Sequence, residues 1–257
     1  SILSMIYDCW NIMKASRIDI VHTHGYKENL IGGIAAKLCD VKSVVRTHHG
    51  IGMLHAGWRY NVVERINAVL LTRAMISVSH DLKKELVHFG FRPENIYVIH
   101  NGTEQVKPLT PDKILCFKKE EGFDRNDIII GTVGRLVSIK GHRDLINGAK
   151  IIIERNKTVK FVIVGEGPLS SELKSYVKEL GIEANIRFMG FRKDVFRLLN
   201  IFDIFVLTSI HEGIPMALLE TMSLGKPVVV TRVGGMPEII EDNINGMLIN
   251  PGDSQSF

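Results

Sequence analysis

The chain lacks most of the features that would assign it quickly to a class. Cysteine is scarce: Cys9, Cys39 and Cys116 are odd in number and show no metal-ligand spacing. That excludes a disulfide scaffold and a cysteine zinc site, and it predicts reduced core residues in a cytoplasmic protein. No apolar run nears the ~20 residues of a membrane span; stretches such as DIIIGTVG and FVIVG are strand-sized. No signal-peptide pattern opens the chain. Long charge runs are missing too. The clusters KASR and RKD are too short for a nucleic-acid patch and read as solvated faces. There is no repeat and no low-complexity tract. The remaining composition, 45% hydrophobic and 23% charged over 257 residues, is ordinary for a globular protein of one large or two small domains. A net charge of +4 suits an anionic ligand, or weak attraction to an acidic membrane surface.

What the chain does have is alternation. Short β-branched runs predict strands at 19–23, 43–47, 75–79 and 96–99, with helices at 28–38, 60–72 and 82–88 between them. A second series predicts strands at 128–133, 160–164, 186–189, 205–208, 228–231 and 247–249, with helices at 143–153, 170–180, 195–199, 216–224 and 238–241. Near-continuous apolar strands alternating with helices mean parallel sheets covered on both faces. Residues 108–126, rich in proline and charge, read as a linker with room for one short helix. The expected organisation is therefore α/β: two doubly wound Rossmann-like domains, 1–107 and 127–257, facing a cleft. The chain starts at Ser1 inside an amphipathic pattern (Ile2, Met5, Ile6, Cys9, Ile12, Met13) and stops at SQSF just past a strand. It reads as an internal fragment, with the first domain cut at its start and the second at its end.

Ligands of such folds sit at the carboxyl ends of strands, and three motifs fall there. HEGIPMALLE places Glu212 and Glu220 on either side of a turn and helix start, with Pro215 suited to the first helical position. Free N–H groups at that start, Gly213 to Met216, make an anion site. Two carboxylates there suit a ligand with hydroxyls as well as phosphate, such as a sugar joined to a nucleotide diphosphate. GTVGRLVSIKG breaks a strand at Gly134 and presents Arg135 and Lys140, a fork-shaped and a point-charge cation that would stabilise a leaving diphosphate. FVIVGEGPLSSEL is a strand, a turn with Gly165 and Gly167, and a helix start at Pro168. It has the look of a weak dinucleotide fingerprint, but Ser170 replaces the third glycine and no acid ends the next strand. It reads as a turn on the nucleotide side.

These motifs, with IRFMGF, VIHNGTE and KPVVVTRVGGMPEII in order, resemble the family 4 glycosyltransferases over about 19–253. The resemblance implies a GT-B fold and retention of anomeric configuration, with a UDP- or GDP-sugar as donor. It implies contact of Arg135 and Lys140 with the donor diphosphate, of Glu212 with the donor sugar and of Glu220 with the ribose hydroxyls. Gly134, Gly213, Ile214, Pro215, Met216, Gly165, Gly167, Phe191 and Arg192 would complete the donor site, with 188–192 along the nucleobase. Ile214 and Pro215 stand where the family often has Gly or Phe, a departure that bears on the sugar preferred. The D-x-x-H-x-H pattern carries a cleft histidine onto His24 and the next strand end carries another onto His49. Asn101 and Gly102 are candidates for the cleft or for a simple strand-end turn. His22 and His48 read as packing residues.

A histidine metal cluster (His22, His24, His48, His49, His55) is conceivable, but no carboxylate or cysteine stands at ligand spacing. No D-x-D pair occurs, so the expectation is a cation-free transfer without metal or cofactor. The implied acceptor is a sugar, a lipid-linked sugar or a growing glycan, in polysaccharide, lipopolysaccharide or glycolipid synthesis, with no nucleic acid partner and with peripheral association at the inner membrane face. The alternatives are a sugar-nucleotide epimerase of the same fold and a nucleotide-sugar-binding module without activity.

Overall fold

A computed structural model describes residues 1–50, 58–105 and 107–256, with the side chains of 58–61 and 63 excepted. His55 lies outside the described residues. The chain divides into two compact units, Ser1–Asn101 and Gly102–Phe257.

In the first unit α1 (Ile2–Ser16) leads to β1 (Ile20–His24), α2 (Tyr26–Leu38), β2 (Ser43–His48), α3 (Trp58–Leu71), β3 (Ala74–Ser77), α4 (His80–His88) and β4 (Ile96–Val98). The strands form a parallel sheet in the order β1-β2-β3-β4. Its core is small: Met75, Val78, Leu82, Leu86, Phe91 and Ile96 cluster with Ala68. Ser79 caps α4 by accepting from the Leu82 amide at 3.0 Å. The amphipathic pattern at the start of the chain is a helix, as its spacing predicts, but α1 buries none of its residues.

The second unit runs α5 (Pro111–Glu120), β5 (Ile128–Val133), α6 (His142–Arg155), β6 (Val159–Val164), α7 (Ser170–Glu179), β7 (Ile186–Gly190), α8 (Val195–Ile201), β8 (Ile204–Leu207), α9 (Met216–Ser223), β9 (Val228–Thr231), α10 (Met236–Ile239) and β10 (Met247–Ile249). Its sheet is parallel with the order β10-β9-β8-β5-β6-β7. The period-2 alternation of a doubly covered strand is plain in β6: Phe161 and Ile163 face one core cluster, Val162 and Val164 the other. Gly131 in β5 exists for packing, because a Cβ there would enter the Phe202 ring.

Two expectations need correction. The stretch read as a linker holds α5, and Phe117 and Phe123 are buried in the second unit's core, so most of 108–126 is structural. The reading of the cysteines as core residues fails as well: Cys116 is exposed, and Cys9 and Cys39 are half-buried. Small apolar-looking residues at amphipathic positions do not reveal which face a neighbour will cover.

Candidate functional site

The order of the second sheet sets the site. The chain winds outward from β5 to β6 and β7, then returns to the other side of β5 to lay down β8. The crevice of a doubly wound sheet opens at that reversal, beyond the carboxyl ends of β5 and β8. The loops that leave those two ends are the ones carrying Gly134, Arg135, Lys140 and Glu212.

Backbone contacts fix them. The Gly134 amide donates to the Val164 carbonyl at 2.9 Å, and the Leu136 amide to the Glu166 carbonyl at 2.9 Å. Gly165 adopts φ +132°, and a Cβ on it would meet the Gly134 carbonyl; one on Gly167 would meet the Leu136 carbonyl. The loops after β5 and β6 thus interlock through atoms that only glycine exposes. The turn continues past Pro168, and α7 begins at Ser170 rather than at the proline.

Lys140 ends a short 3₁₀ turn. Its Nζ pairs with Glu212 Oε1, and the Ser209 hydroxyl donates to the same carboxylate oxygen at 2.8 Å. Ser209 is itself placed by Thr231, whose hydroxyl donates to the Ser209 carbonyl at 2.6 Å. Gly234, at φ +54°, lets the loop after β9 touch the Glu212 carbonyl, where a side chain would collide. Arg135 is exposed and joins no ion pair among the described residues. One cation is therefore locked to a carboxylate and the other is left to solvent.

Beyond Glu212, Gly213 and Ile214 are buried and Met216 is exposed. Pro215 is the N-cap of α9, one position before the first helical residue expected for it. Glu220 sits one turn beyond Met216 on the same helical face. Burial pushes its carboxyl pKa up. Two buried ring nitrogens near this site find no hydrogen-bond partner, His142 Nδ1 and His211 Nε2. Burial first, and Lys140 second, lower the His142 pKa to about 4.

At the end of β7, Phe191 is exposed and its amide donates to Glu166 Oε1 at 3.3 Å. Arg192 is committed elsewhere. Its guanidinium forks onto Glu121 at 2.6 and 3.1 Å and onto Asp194 at 2.8 Å. These partners raise its pKa, and they make Arg192 a clasp between the end of α5 and the β7–α8 loop. The acids that bind it lie 71 and 2 residues away. The first of them could not be read from the motif.

In the first unit, the ends of β1 and β2 carry a ladder of imidazoles. His22 Nε2 lies 2.7 Å from Thr47 Oγ1, and His24 Nδ1 lies 2.9 Å from His49 Nε2. The His22 and His24 ring centroids are 4.4 Å apart, and those of His24 and His49 are 5.2 Å apart. Burial, aided by its neighbours, lowers the pKa values of His22 and His49. His48 faces the other way, 5% exposed beside Phe91, with its pKa lowered to about 3. His22 therefore joins the exposed ladder rather than the packing assigned to it. Asn101 and Gly102 lie at the division between the units, outside any turn.

Sequence reasoning missed Ser209, Thr231 and Gly234. The S-x-x-E spacing of Ser209 and Glu212 was a usable signal for the first. Nothing local marks the other two, whose roles depend on β9 lying beside β8.

Two parallel-sheet α/β units, the second with a glycine-rich loop set at its switch point, define the GT-B architecture. The model of "Glycosyltransferase Family 4" matches residues 1–105, and that of "Glycosyl transferases group 1" matches 116–257. The chain belongs to this glycosyltransferase family. It is 32% identical to the UDP-Gal:alpha-D-GlcNAc-diphosphoundecaprenol alpha-1,3-galactosyltransferase of Escherichia coli, over 99% of this chain and 68% of that one. It is 28% identical to the N-acetyl-alpha-D-glucosaminyl L-malate synthase of Bacillus anthracis, over 95% of this chain and 64% of that one. Among solved structures it resembles Anabaena HepE in complex with UDP and glucose, with a TM-score of 0.88 at 26% identity, covering 97% of this chain and 68% of HepE. The chain thus spans about two thirds of the length of these relatives. Among the described residues, no helix is long and apolar enough to cross a membrane.

Proposed function

We propose that the protein transfers a sugar from a UDP-linked donor to an acceptor hydroxyl with retention at the anomeric carbon. The observation that carries the reading is the loop set at the β5/β8 switch point, where Lys140, Glu212 and Ser209 are hydrogen-bonded together and Arg135 is exposed. Arg135 and Lys140 would take the diphosphate. Glu212, held by Ser209, would take hydroxyls of the donor sugar. Glu220, whose raised pKa marks a carboxylate short of solvent, would accept from the ribose hydroxyls. Phe191 and the backbone of 188–192 would line the base. A uracil base is favoured over guanine by the relatives, since the galactosyltransferase is named for UDP-Gal and HepE was crystallised with UDP.

In the transfer step, the bond from the anomeric carbon to the β-phosphate oxygen breaks as the acceptor oxygen bonds that carbon from the same face. The acceptor proton passes to the departing phosphate oxygen. Negative charge then grows on the diphosphate, where two cations stabilise it more than they stabilise the ground state. No D-x-D carboxylate pair is available in the sequence, so we assign the counter-charge to Arg135 and Lys140 and propose that no metal is required. We assign His24 and His49 to the acceptor side, and to the same side a sugar, lipid-linked or glycan acceptor in polysaccharide, lipopolysaccharide or glycolipid synthesis. The cytoplasmic assignment rests on the three cysteines without a pairing pattern.

Titration calorimetry with UDP-, GDP- and ADP-sugars tests the donor. Binding confined to UDP-sugars is the expected result. Preference for GDP- or ADP-sugars would overturn the base assignment, and binding of none of the three would overturn the site.

A further inference from the structure

Helix α3 is built inside out. Among its described side chains the buried ones are two polar residues, Glu64 at 1% exposed and Asn67 at 4%, and the small Ala68 at 5%. Four larger apolar residues face solvent, with Val62 at 45%, Ile66 at 53%, Val69 at 71% and Leu70 at 59%. The reversal is enforced from within. Glu64 pairs with the buried Arg46 of β2. Asn67 accepts from Asn29 at 3.0 Å, and Asn29 also donates to Thr72 at 3.1 Å and accepts from Thr23 at 2.8 Å. A rotation that hid the apolar stripe would expose these bonds and strand a buried charge, so the stripe is fixed outward.

The stripe has a cationic border. A hollow of about 240 Å³ beside Val69 is lined by Arg65, Arg73 and Arg92. A second, also about 240 Å³, meets it at Arg73 and adds Lys37 and Leu70. Arg65 and Leu70 further line an apolar depression with Ile66 and Val69. Among the described residues none of Lys37, Arg65, Arg73 and Arg92 joins an ion pair, whereas nearby Lys42 is held by Asp19. An exposed acid, Glu94, stands between Arg92 and Asn95 in the chain. Arg73 precedes β3 and Asn95 precedes β4, so the border lies at the amino ends of the strands, at the opposite edge of the sheet from His24 and His49.

We propose that this face of α3 docks on an anionic phospholipid bilayer, with lipid phosphates over the arginine hollows and Ile66, Val69 and Leu70 in the headgroup–acyl boundary. An exposed apolar stripe rimmed by unpaired cations is complementary to that surface on both counts: apolar area drives insertion and each cation adds attraction to the anionic leaflet. A protein partner would have to offer apolar and acidic groups in the same pattern. The inference narrows a general membrane tendency to one surface, and it rests on no step of the reaction proposed above.

Co-sedimentation of the purified protein with vesicles tests it, using phosphatidylcholine alone and phosphatidylcholine mixed with phosphatidylglycerol. Binding to the mixed vesicles only, released at high salt, is expected. Replacing Arg65, Arg73 and Arg92 together with Gln should lower the partition coefficient about 100-fold, roughly fivefold per cation, or about 1 kcal/mol each. Ile66→Ser with Val69→Ser should lower it about tenfold, with circular dichroism and melting unchanged. Arg73→Glu alone serves where the triple variant misfolds, and it should weaken binding more than fivefold. No partition into anionic vesicles, equal partition into neutral ones, or wild-type partition in these variants would overturn the proposal. So would dimerisation abolished by the Ile66 and Val69 changes without vesicle binding, which would assign the stripe to a second copy.

Discussion

The two units place chemistry at their strand ends by different means. In the second, backbone does the placing: carbonyls of Gly134, Leu136 and Glu212 touch glycines at 165, 167 and 234, and no side chain could stand in those gaps. In the first, side chains do it, through an imidazole ladder held by contacts of 2.7 and 2.9 Å at exposed strand ends. The core follows the same division. The second unit has clusters on both faces of a six-stranded sheet, whereas among its described residues the first has one small cluster and a helix held by buried polar groups. A backbone-built site tolerates little substitution and suits a fixed ligand group such as a diphosphate. A side-chain-built edge can change its chemistry without changing its fold.

The strongest way to break this comparison is through the cores. Phe202→Ala, under Gly131 and fully buried, should cost about 3–5 kcal/mol in urea unfolding. Because it lies in the second unit, it should leave the His24 and His49 resonances of the first unit at native positions while the second unit melts. Simultaneous loss of both units would show that they do not differ in independence.

Acid sharpens the contrast next. His48 in the first unit and His142 in the second are held neutral by burial, with pKa values of about 3 and about 4. Both lie below the usual 6.5, so the unfolded chain binds protons that the native chain refuses. Stability from each is complete above pH 6.5 and falls as pH drops, at roughly 1.4 kcal/mol per pH unit well below 6.5. The fall ends near pH 4 for His142 and near pH 3 for His48. Unfolding curves at pH 7 and 4.5 should therefore diverge less in His48→Gln and in His142→Gln than in the parent. A slope unchanged by His48→Gln would remove this account of the first unit.

Within the second unit, the glutamates should separate. Glu220→Ala is expected to weaken UDP binding by roughly 1–3 kcal/mol, the cost of leaving ribose hydroxyls without an acceptor. Glu212→Gln should spare free UDP and depress transfer. Equal loss of UDP affinity in calorimetry would contradict the two roles. The smallest expected effect is none: chelation by EDTA should leave UDP binding unchanged. A large loss restored by manganese would reassign the counter-charge from Arg135 and Lys140 to a metal.

Much of this was legible in the chain because strands and amphipathic helices are local. The strands at 128–133, 228–231 and 247–249 have the residues expected from their apolar runs, and other boundaries move by one or two positions. The motif residues around Arg135, Lys140 and Glu212 were visible as Gly-punctuated strand ends. Long-range pairing was not visible. Arg192 looked like a ligand contact because its carboxylate partner Glu121 lies 71 residues back. The stretch 108–126 looked like a linker because Phe117 and Phe123 reveal their burial only against the folded sheet.

The sequence by itself therefore determined the α/β class, the parallel sheets and the family, since periodicity and glycine spacing act over a few residues. Only the tertiary structure decided that the loops of β5 and β8 converge, that Ser209 and Lys140 share one oxygen of Glu212, and that α3 turns its apolar side outward. Those outcomes depend on strand order and on buried polar pairs such as Arg46 with Glu64. The free energy of such pairs belongs to two distant residues jointly, and neither carries it alone.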